Sequence, residues 1–141
     1  MFIGEFEHTI DSKRRLAMPY RFRRDLGKGA ILTRGLEQNL VCYPRQEWDK
    51  LALKLAALPS FDKSVREFQR LIFSGAAEVT FDRAGRVLVP GFLVEYAALR
   101  SQVLVVGLYN RIEIWAKASW QKVKKSGDEQ SIMKRLSELG I

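Results

Sequence analysis

The segment Asp11–Pro19 reads DSKRRLAMP, and the segment Asp82–Pro90 repeats its plan as DRAGRVLVP. Each segment has an aspartate, an arginine four residues later and a proline four residues after the arginine. Aspartate opens tight turns because its carboxylate accepts backbone N–H groups two residues further on. The apolar or small residues between arginine and proline favour a short strand that stops at the proline. Each segment therefore predicts a β-hairpin with an arginine at the base of its turn.

The repeat extends outward from both hairpins over most of the chain. Six residues recur at an offset of 71 (82 − 11): Gly4, Glu7, Thr9, Asp11, Arg15 and Pro19 match Gly75, Glu78, Thr80, Asp82, Arg86 and Pro90. After one inserted residue the offset is 72 (120 − 48), and Gly35 matches Gly107 while Trp48 matches Trp120. Turn, strand and charged positions recur together, so the chain is an internal duplication.

Both copies are predicted to contain the same elements. In the first copy the patterns predict strands at 5–10 and 15–18 around a turn at 11–14, a short helix at 20–26, and strands at 30–33 and 40–43. A helix that carries Trp48, Leu51, Leu55 and Leu58 closes this copy. In the second copy the strands are expected at 76–81, 86–89, 103–108 and 111–115, with a turn at Tyr109-Asn110.

Neither copy is expected to fold alone, because a small domain buries too little of its surface. We predict a mainly β (α+β) fold in which two ββαββ modules interdigitate into one pseudo-symmetric, swapped-hairpin, β-barrel-like unit. The expected division is 1–59 for the first module (core about 5–47), 60–74 for a connecting helix, 75–120 for the second module and 121–141 for a helical tail. The connecting helix, predicted over 61–74, is amphipathic, with Phe61, Val65, Phe68 and Ile72 on one face. The helical region from Lys117 onward is interrupted at Ser126-Gly127, and its apolar residues are candidate subunit contacts.

The charge balance favours an anionic partner. The chain has 24 Lys and Arg against 16 Asp and Glu, a net charge of +8 at pH 7, which favours nucleic acid first and a membrane surface second. The single cysteine, Cys42, excludes an internal disulfide and is expected to be buried on a strand. The apolar runs are too short to span a bilayer, and acidic residues replace the apolar part of a signal peptide. We therefore expect a cytoplasmic protein.

The basic residues concentrate at the first hairpin and the helix after it. Six of them, with no acid among them, lie within twelve residues: Lys13, Arg14, Arg15, Arg21, Arg23 and Arg24. The second copy offers Arg83 and Arg86, so we predict that the first copy dominates phosphate contacts. An arginine fork matches phosphate or a guanine edge, and all eight residues are predicted to bind DNA. Their turns are organised by Asp11, Asp82 and Gly85. Alternatively, each motif arginine pairs with its turn aspartate and braces the hairpin, a role compatible with binding.

Three segments together resemble the MraZ family: Gly4–Pro19, Gly75–Pro90 and Val106–Trp115. The resemblance covers nearly the whole chain and implies two AbrB/SpoVT-like domains in a nucleoid-associated bacterial transcriptional regulator. It also implies a homo-oligomeric ring that binds tandem repeats of double-stranded DNA in a promoter, upstream of a cell-division and cell-wall gene cluster. The family's DNA-contacting turns fall on Asp11, Arg15, Asp82 and Arg86.

The first turn departs from this family pattern at Arg14, where the family usually has glycine, as at Gly85. Either the first turn avoids a positive φ, or Arg14 adopts one at a cost of about 1 kcal/mol. Arg14 could also add a phosphate contact.

Other classes of function find little support in the sequence. His8 is the single histidine and is expected to pack or to lie on an edge strand. No Cys/His cluster has metal-ligand spacing and no phosphate loop follows a strand, so we predict no enzyme, metal, cofactor, small-molecule substrate or membrane partner. The alternative is a ring-forming structural or adaptor protein whose basic surface is not used for specific DNA binding. RNA is disfavoured because no aromatic residues are interleaved with the basic cluster.

Overall fold

The computed structural model describes all residues from 1 to 141 and contains eight strands and six helices. The strands are β1 (Phe2–Thr9), β2 (Arg15–Ala17), β3 (Gly29–Arg34), β4 (Leu40–Pro44), β5 (Ala77–Thr80), β6 (Arg86–Leu88), β7 (Gln102–Tyr109) and β8 (Ile112–Ala116). The helices are α1 (Tyr20–Leu26), α2 (Arg45–Ala56), α3 (Lys63–Ser74), α4 (Gly91–Tyr96), α5 (Lys117–Ser126) and α6 (Glu129–Glu138).

The strand order shows that the two copies exchange strands. Six strands form an antiparallel sheet in the order β1-β7-β8-β4-β3-β5, and β2 pairs with β6 in a separate two-stranded ribbon. The first strand of each copy pairs with the third strand of the other copy, β1 with β7 and β5 with β3. Exchanging the copies reverses the sheet onto itself, so the pseudo-twofold axis passes between β4 and β8. This confirms the pseudo-symmetric α+β fold with swapped hairpins; since β1 and β5 are not paired, the six-stranded sheet is open.

The main core fixes the ribbon against one face of the sheet. Leu16 and Val87, at the centre of the ribbon, are 0% and 1% exposed and belong to the same buried cluster as Leu32 of β3 and Ile114 of β8. Burying a side chain of this size contributes roughly 1.5–3 kcal/mol. The ribbon is therefore anchored through both of its central residues, and its two turns project from a rigid base.

A smaller cluster lies on the opposite face of the sheet. Leu104 and Val106 alternate with the main-core residues of β7 and pack with Trp115, beneath Trp120 and Val123 of α5. Successive strand residues point to opposite faces, so these residues turn away from the ribbon. On the face of the sheet opposite the ribbon, helix α5 thereby covers the half that the second copy contributes.

Local sequence explains where three of the helices begin or end. Pro19 precedes α1 and Pro90 precedes α4, each with a φ near the proline value, at −52° and −54°. Helix α3 begins at Lys63 because the Asp62 carboxylate accepts the backbone N–H groups at 64 and 65. The expectation that Phe61 lies on the apolar face of this helix was therefore wrong, and that side chain is 96% exposed.

Two further boundaries differ from the sequence predictions. Helix α2 ends at Ala56, so Leu58 lies beyond it and is exposed. Strand β1 begins at Phe2 rather than residue 5 and runs through Gly4, which lies opposite Gly107 of β7. A side chain on Gly107 would meet the β1 backbone, with its Cβ 2.5 Å from the Ile3 nitrogen. This glycine therefore permits the close approach of the two strands.

Two single residues lie as the sequence predicted. Cys42 is buried on β4, where desolvation raises the pKa of its thiol to about 12. His8 lies on β1, an edge strand, and partial burial lowers the pKa of its imidazole. Neither side chain belongs to a cluster of reactive groups.

The chain after the sheet is helical with the predicted interruption near Gly127. The N-cap of α6 is Asp128, whose carboxylate accepts the backbone N–H of residue 130. Ile132, Met133 and Leu139 are exposed in and just after α6, which buries none of its residues. None of the six helices combines the length and the apolarity that crossing a bilayer would require.

Candidate nucleic-acid interface

The two hairpin turns have the same hydrogen-bonded geometry. In both, the aspartate Oδ1 atom accepts the backbone N–H groups of the residues two and four positions later, each at 2.9 Å. The backbone carbonyls of Asp11 and Asp82 accept the N–H groups of Arg14 and Gly85 at 2.9 and 3.0 Å. Each aspartate therefore hydrogen-bonds the backbone of its own turn, and these bonds involve no arginine side chain.

The same aspartates brace the motif arginines. Arg15 Nε donates to Asp11 Oδ2 at 2.7 Å, and Arg86 Nε donates to Asp82 Oδ2 at 3.0 Å. The terminal nitrogens of both guanidiniums make no hydrogen bond within the chain, and each side chain is about one-third exposed (36% and 33%). The brace thus fixes each guanidinium and leaves its terminal N–H groups available to a ligand.

The two braced pairs lie together across the ribbon. Arg86 Nη1 is 3.8 Å from Asp11 Oδ2, so the carboxylate of the first turn faces the arginines of both turns. Hydrogen bonds from the backbone N–H of Arg15 and of Arg86 are the main cause that lowers the pKa of the Asp11 and Asp82 carboxyls. Both carboxylates are therefore ionised at neutral pH, as the brace requires.

The outer face of the ribbon carries both arginines. Arg15 is paired with Leu88 and Ala17 with Arg86, and directly paired residues of antiparallel strands point to the same side. The residues between them point into the core, so these four side chains form the outer face. The major groove of DNA is wide enough to admit a two-stranded ribbon of this kind. Leu88 also lies on this surface and was not among the predicted site residues, although its alternation with Arg86 was the available signal.

Arg14 resolves the alternatives left open for the first turn. Its φ is 64°, close to the 77° of Gly85 in the second turn, so Arg14 adopts the left-handed conformation. Of the two alternatives, the structure therefore has the one in which Arg14 adopts a positive φ at a cost of about 1 kcal/mol. The Arg14 guanidinium reaches the start of α4, where a Cβ on Gly91 would lie 2.7 Å from Nη1.

Arg23 lies over the turn of the other copy. Its guanidinium lies directly over Gly85, where an added Cβ would contact the Arg23 side chain, and its Cζ lies 5.3 Å from the centre of the Tyr20 ring. The Arg23 Nε atom is buried without a hydrogen-bond partner. The strand exchange thus brings a positive charge of the first copy to the second turn. In the sequence, this turn has fewer basic residues than the first.

The structure divides the eight predicted basic residues into two groups. Six lie at or over the two turns: Lys13, Arg14, Arg15, Arg23, Arg83 and Arg86. The other two, Arg21 and Arg24, lie on the part of α1 beside the N-terminus. Arg24 Nε is 3.5 Å from an Asp25 oxygen, and the Asp25 carboxylate also pairs with the Met1 amino group at 3.3 Å.

Fold and site together define a duplicated, strand-swapped α+β protein with a basic β-ribbon on one face. The chain belongs to the MraZ family. The model of the MraZ protein family, described as antitoxin-like, matches it twice, at residues 1–71 and 72–139. This confirms the resemblance that the sequence motifs indicated.

Proteins similar over their full length share one name. The chain is 46% identical to a protein of Clostridium acetobutylicum over 100% of both chains. It is 45% identical to a protein of Roseiflexus sp. strain RS-1 over 99% of both chains, and 45% identical to a protein of Acetivibrio thermocellus over 100% of both. Each of these three is named "Transcriptional regulator MraZ".

Proposed function

We propose that this chain is a sequence-specific transcriptional regulator that binds double-stranded DNA through the outer face of the ribbon. The observation that carries the proposal is the matched pair of arginines, each braced through Nε and each with terminal nitrogens that make no hydrogen bond within the chain. Its full-length relatives are named as transcriptional regulators, which is not a class of enzyme.

The geometry of the ribbon suits duplex DNA in particular. Bracing reduces the side-chain freedom that an arginine would otherwise lose on binding, which leaves more of the contact energy for affinity. The turns carry further positive charge at Lys13, Arg14 and Arg83, which are exposed and suited to phosphates on either side of a groove. The arginines of the ribbon would then read base edges while the turn residues position the protein on the backbone.

We further propose that the functional form is a homo-oligomeric ring on tandem repeats in a promoter, as the family resemblance implies. One subunit offers two turns and a ribbon of two strands, each three residues long. This is little surface compared with the roughly 1,000–2,500 Å² of protein surface in a specific DNA interface. Within each subunit we assign 1–59 and 75–120 to the two modules, 60–74 to the connection and 121–141 to the tail. The exposed apolar residues Phe61, Ile132 and Met133 are candidate contacts between subunits.

Nuclease footprinting of the full chain on the DNA upstream of its own coding sequence tests this proposal. We expect protection of short repeated sequences at a regular spacing, because each subunit would engage one repeat. An absence of protection at micromolar protein and low salt would reject DNA binding and favour the adaptor alternative, in which the basic surface binds no specific DNA.

A further inference from the structure

We propose that Leu88 is a specificity-determining residue that contacts the methyl group of thymine, an inference that rests on the proposed function. Leu88 is 56% exposed, whereas Val87 and Val89 on either side of it are 1% and 0% exposed. An isolated exposed leucine is ordinary on a protein surface. Leu88 differs in its position, because it lies on the outer face of the ribbon together with both braced arginines.

The register places Leu88 beside an arginine that is already oriented. Leu88 is the direct partner of Arg15, and directly paired side chains have Cβ atoms about 4.5–5.5 Å apart. Base pairs in DNA are stacked about 3.4 Å apart. If Arg15 meets a base edge in the major groove, Leu88 consequently faces the same or the neighbouring base pair. The 5-methyl of thymine is the apolar group that the major-groove edges present, so it is the partner that a leucine can recognise.

The pseudo-symmetry confines this contact to one half of the ribbon. The position related to Leu88 by the repeat is Ala17 (88 − 71), which pairs with Arg86. Alanine is too short to reach as far from the ribbon as leucine. One subunit thus presents an arginine–leucine half and an arginine–alanine half. We infer that thymine is preferred next to the base contacted by Arg15, and that this preference is weaker or absent next to the base contacted by Arg86.

The test compares ordinary duplex DNA with the same duplex in which deoxyuridine replaces thymidine, which removes only the methyl groups. The probe is the region upstream of the coding sequence, and affinity is measured by fluorescence anisotropy. Burying one methyl is worth about 0.8 kcal/mol, so we expect wild-type protein to bind the thymine duplex about fourfold more tightly for each methyl contacted. For Leu88→Ala the ratio of the two affinities should fall toward one.

Comparing wild-type protein and Leu88→Ala on both duplexes isolates the contact between Leu88 and the thymine methyl group. Any effect of deoxyuridine on DNA shape is common to both proteins and cancels in the comparison. Leu53→Ala is the matched control: Leu53 is 74% exposed on α2, away from the ribbon, and its loss should leave the ratio unchanged. Melting temperatures should be similar for all three proteins, since both leucines are exposed. Ala17→Leu should add thymine preference at the second half.

The possible outcomes separate this inference from the proposed function. If wild-type protein binds both duplexes equally, or if Leu88→Ala keeps the full thymine preference, the inference is overturned while DNA binding stands. If wild-type protein binds neither duplex, the proposed function itself fails. A Leu88→Ala variant that changes the assembled mass in light scattering but keeps the thymine preference would identify a subunit contact instead, and would also overturn the inference.

Discussion

Replacing Arg15 or Arg86 by alanine should weaken DNA binding by roughly 5- to 150-fold, the effect of losing one arginine that reads a base edge at 1–3 kcal/mol. The double variant should lose more than either single variant. Because Arg86 lies 3.8 Å from the aspartate that braces Arg15, the two effects are not expected to add simply. Fluorescence anisotropy on the upstream DNA measures the losses.

The same substitutions should leave the melting temperature nearly unchanged. The turns are held by aspartate Oδ1 atoms that accept backbone N–H groups, and truncating an arginine side chain removes none of these bonds. The ion pairs that are lost are partly exposed, and exposed ion pairs contribute little to stability. Arg70→Ala, on the exposed side of α3, is the matched control for loss of one positive charge.

A fall in melting temperature, with affinity reduced only in proportion, would mean that the arginines do no more than brace the hairpins. The size of each single loss is also informative. The sequence favours a dominant first turn, whereas Arg23 over Gly85 adds charge to the second. Nearly equal losses would show that the exchanged arginine balances the two halves.

Tandem repeats should bind about 10² to 10⁴ times more tightly than a single repeat, because linked subunits make every contact after the first intramolecular. Light scattering should show a closed oligomer at micromolar protein. Moving two repeats apart by about 5 base pairs, half a helical turn, should remove most of the gain, since the second site would face away from its subunit. Moving them apart by about 10 base pairs, a full helical turn, again points the second site toward its subunit, so less affinity should be lost.

This expectation fails if the protein is a monomer and binds one repeat as tightly as several. If the protein is oligomeric but shows no preference for tandem repeats, the predicted assembly stands and its proposed role in DNA recognition is contradicted. The two measurements are therefore needed together, on the same preparation.

Much of the fold follows from local patterns in the sequence. The duplication, the hairpins and most strand positions depend on turn residues and on alternation, which neighbouring residues specify. In both turns the aspartate accepts the backbone N–H of the motif arginine. The helix after Pro19 and the interruption near Gly127 also appear as predicted.

What the sequence did not supply depends on contacts between distant residues. Alternation says which face of a strand is buried and leaves its partner unspecified, so the pairing of Phe2 with Tyr109 required the structure. The position of Arg23 over Gly85 depends on the same strand exchange. Arg14 shows a different limit of prediction from sequence. A residue other than glycine can adopt a positive φ when the hydrogen bonds of its turn outweigh the backbone strain.

The salt dependence of binding to the upstream DNA tests the central claim most directly. If the basic ribbon neutralises several phosphates, log affinity should fall linearly with log salt at about −0.9 per phosphate contacted. The Arg14→Ala variant should lower the magnitude of that slope by about one for each subunit bound, if Arg14 meets a phosphate. A steep slope that is reduced in this variant is the predicted result. A slope near zero between low and moderate salt would contradict electrostatic recognition of DNA by this face.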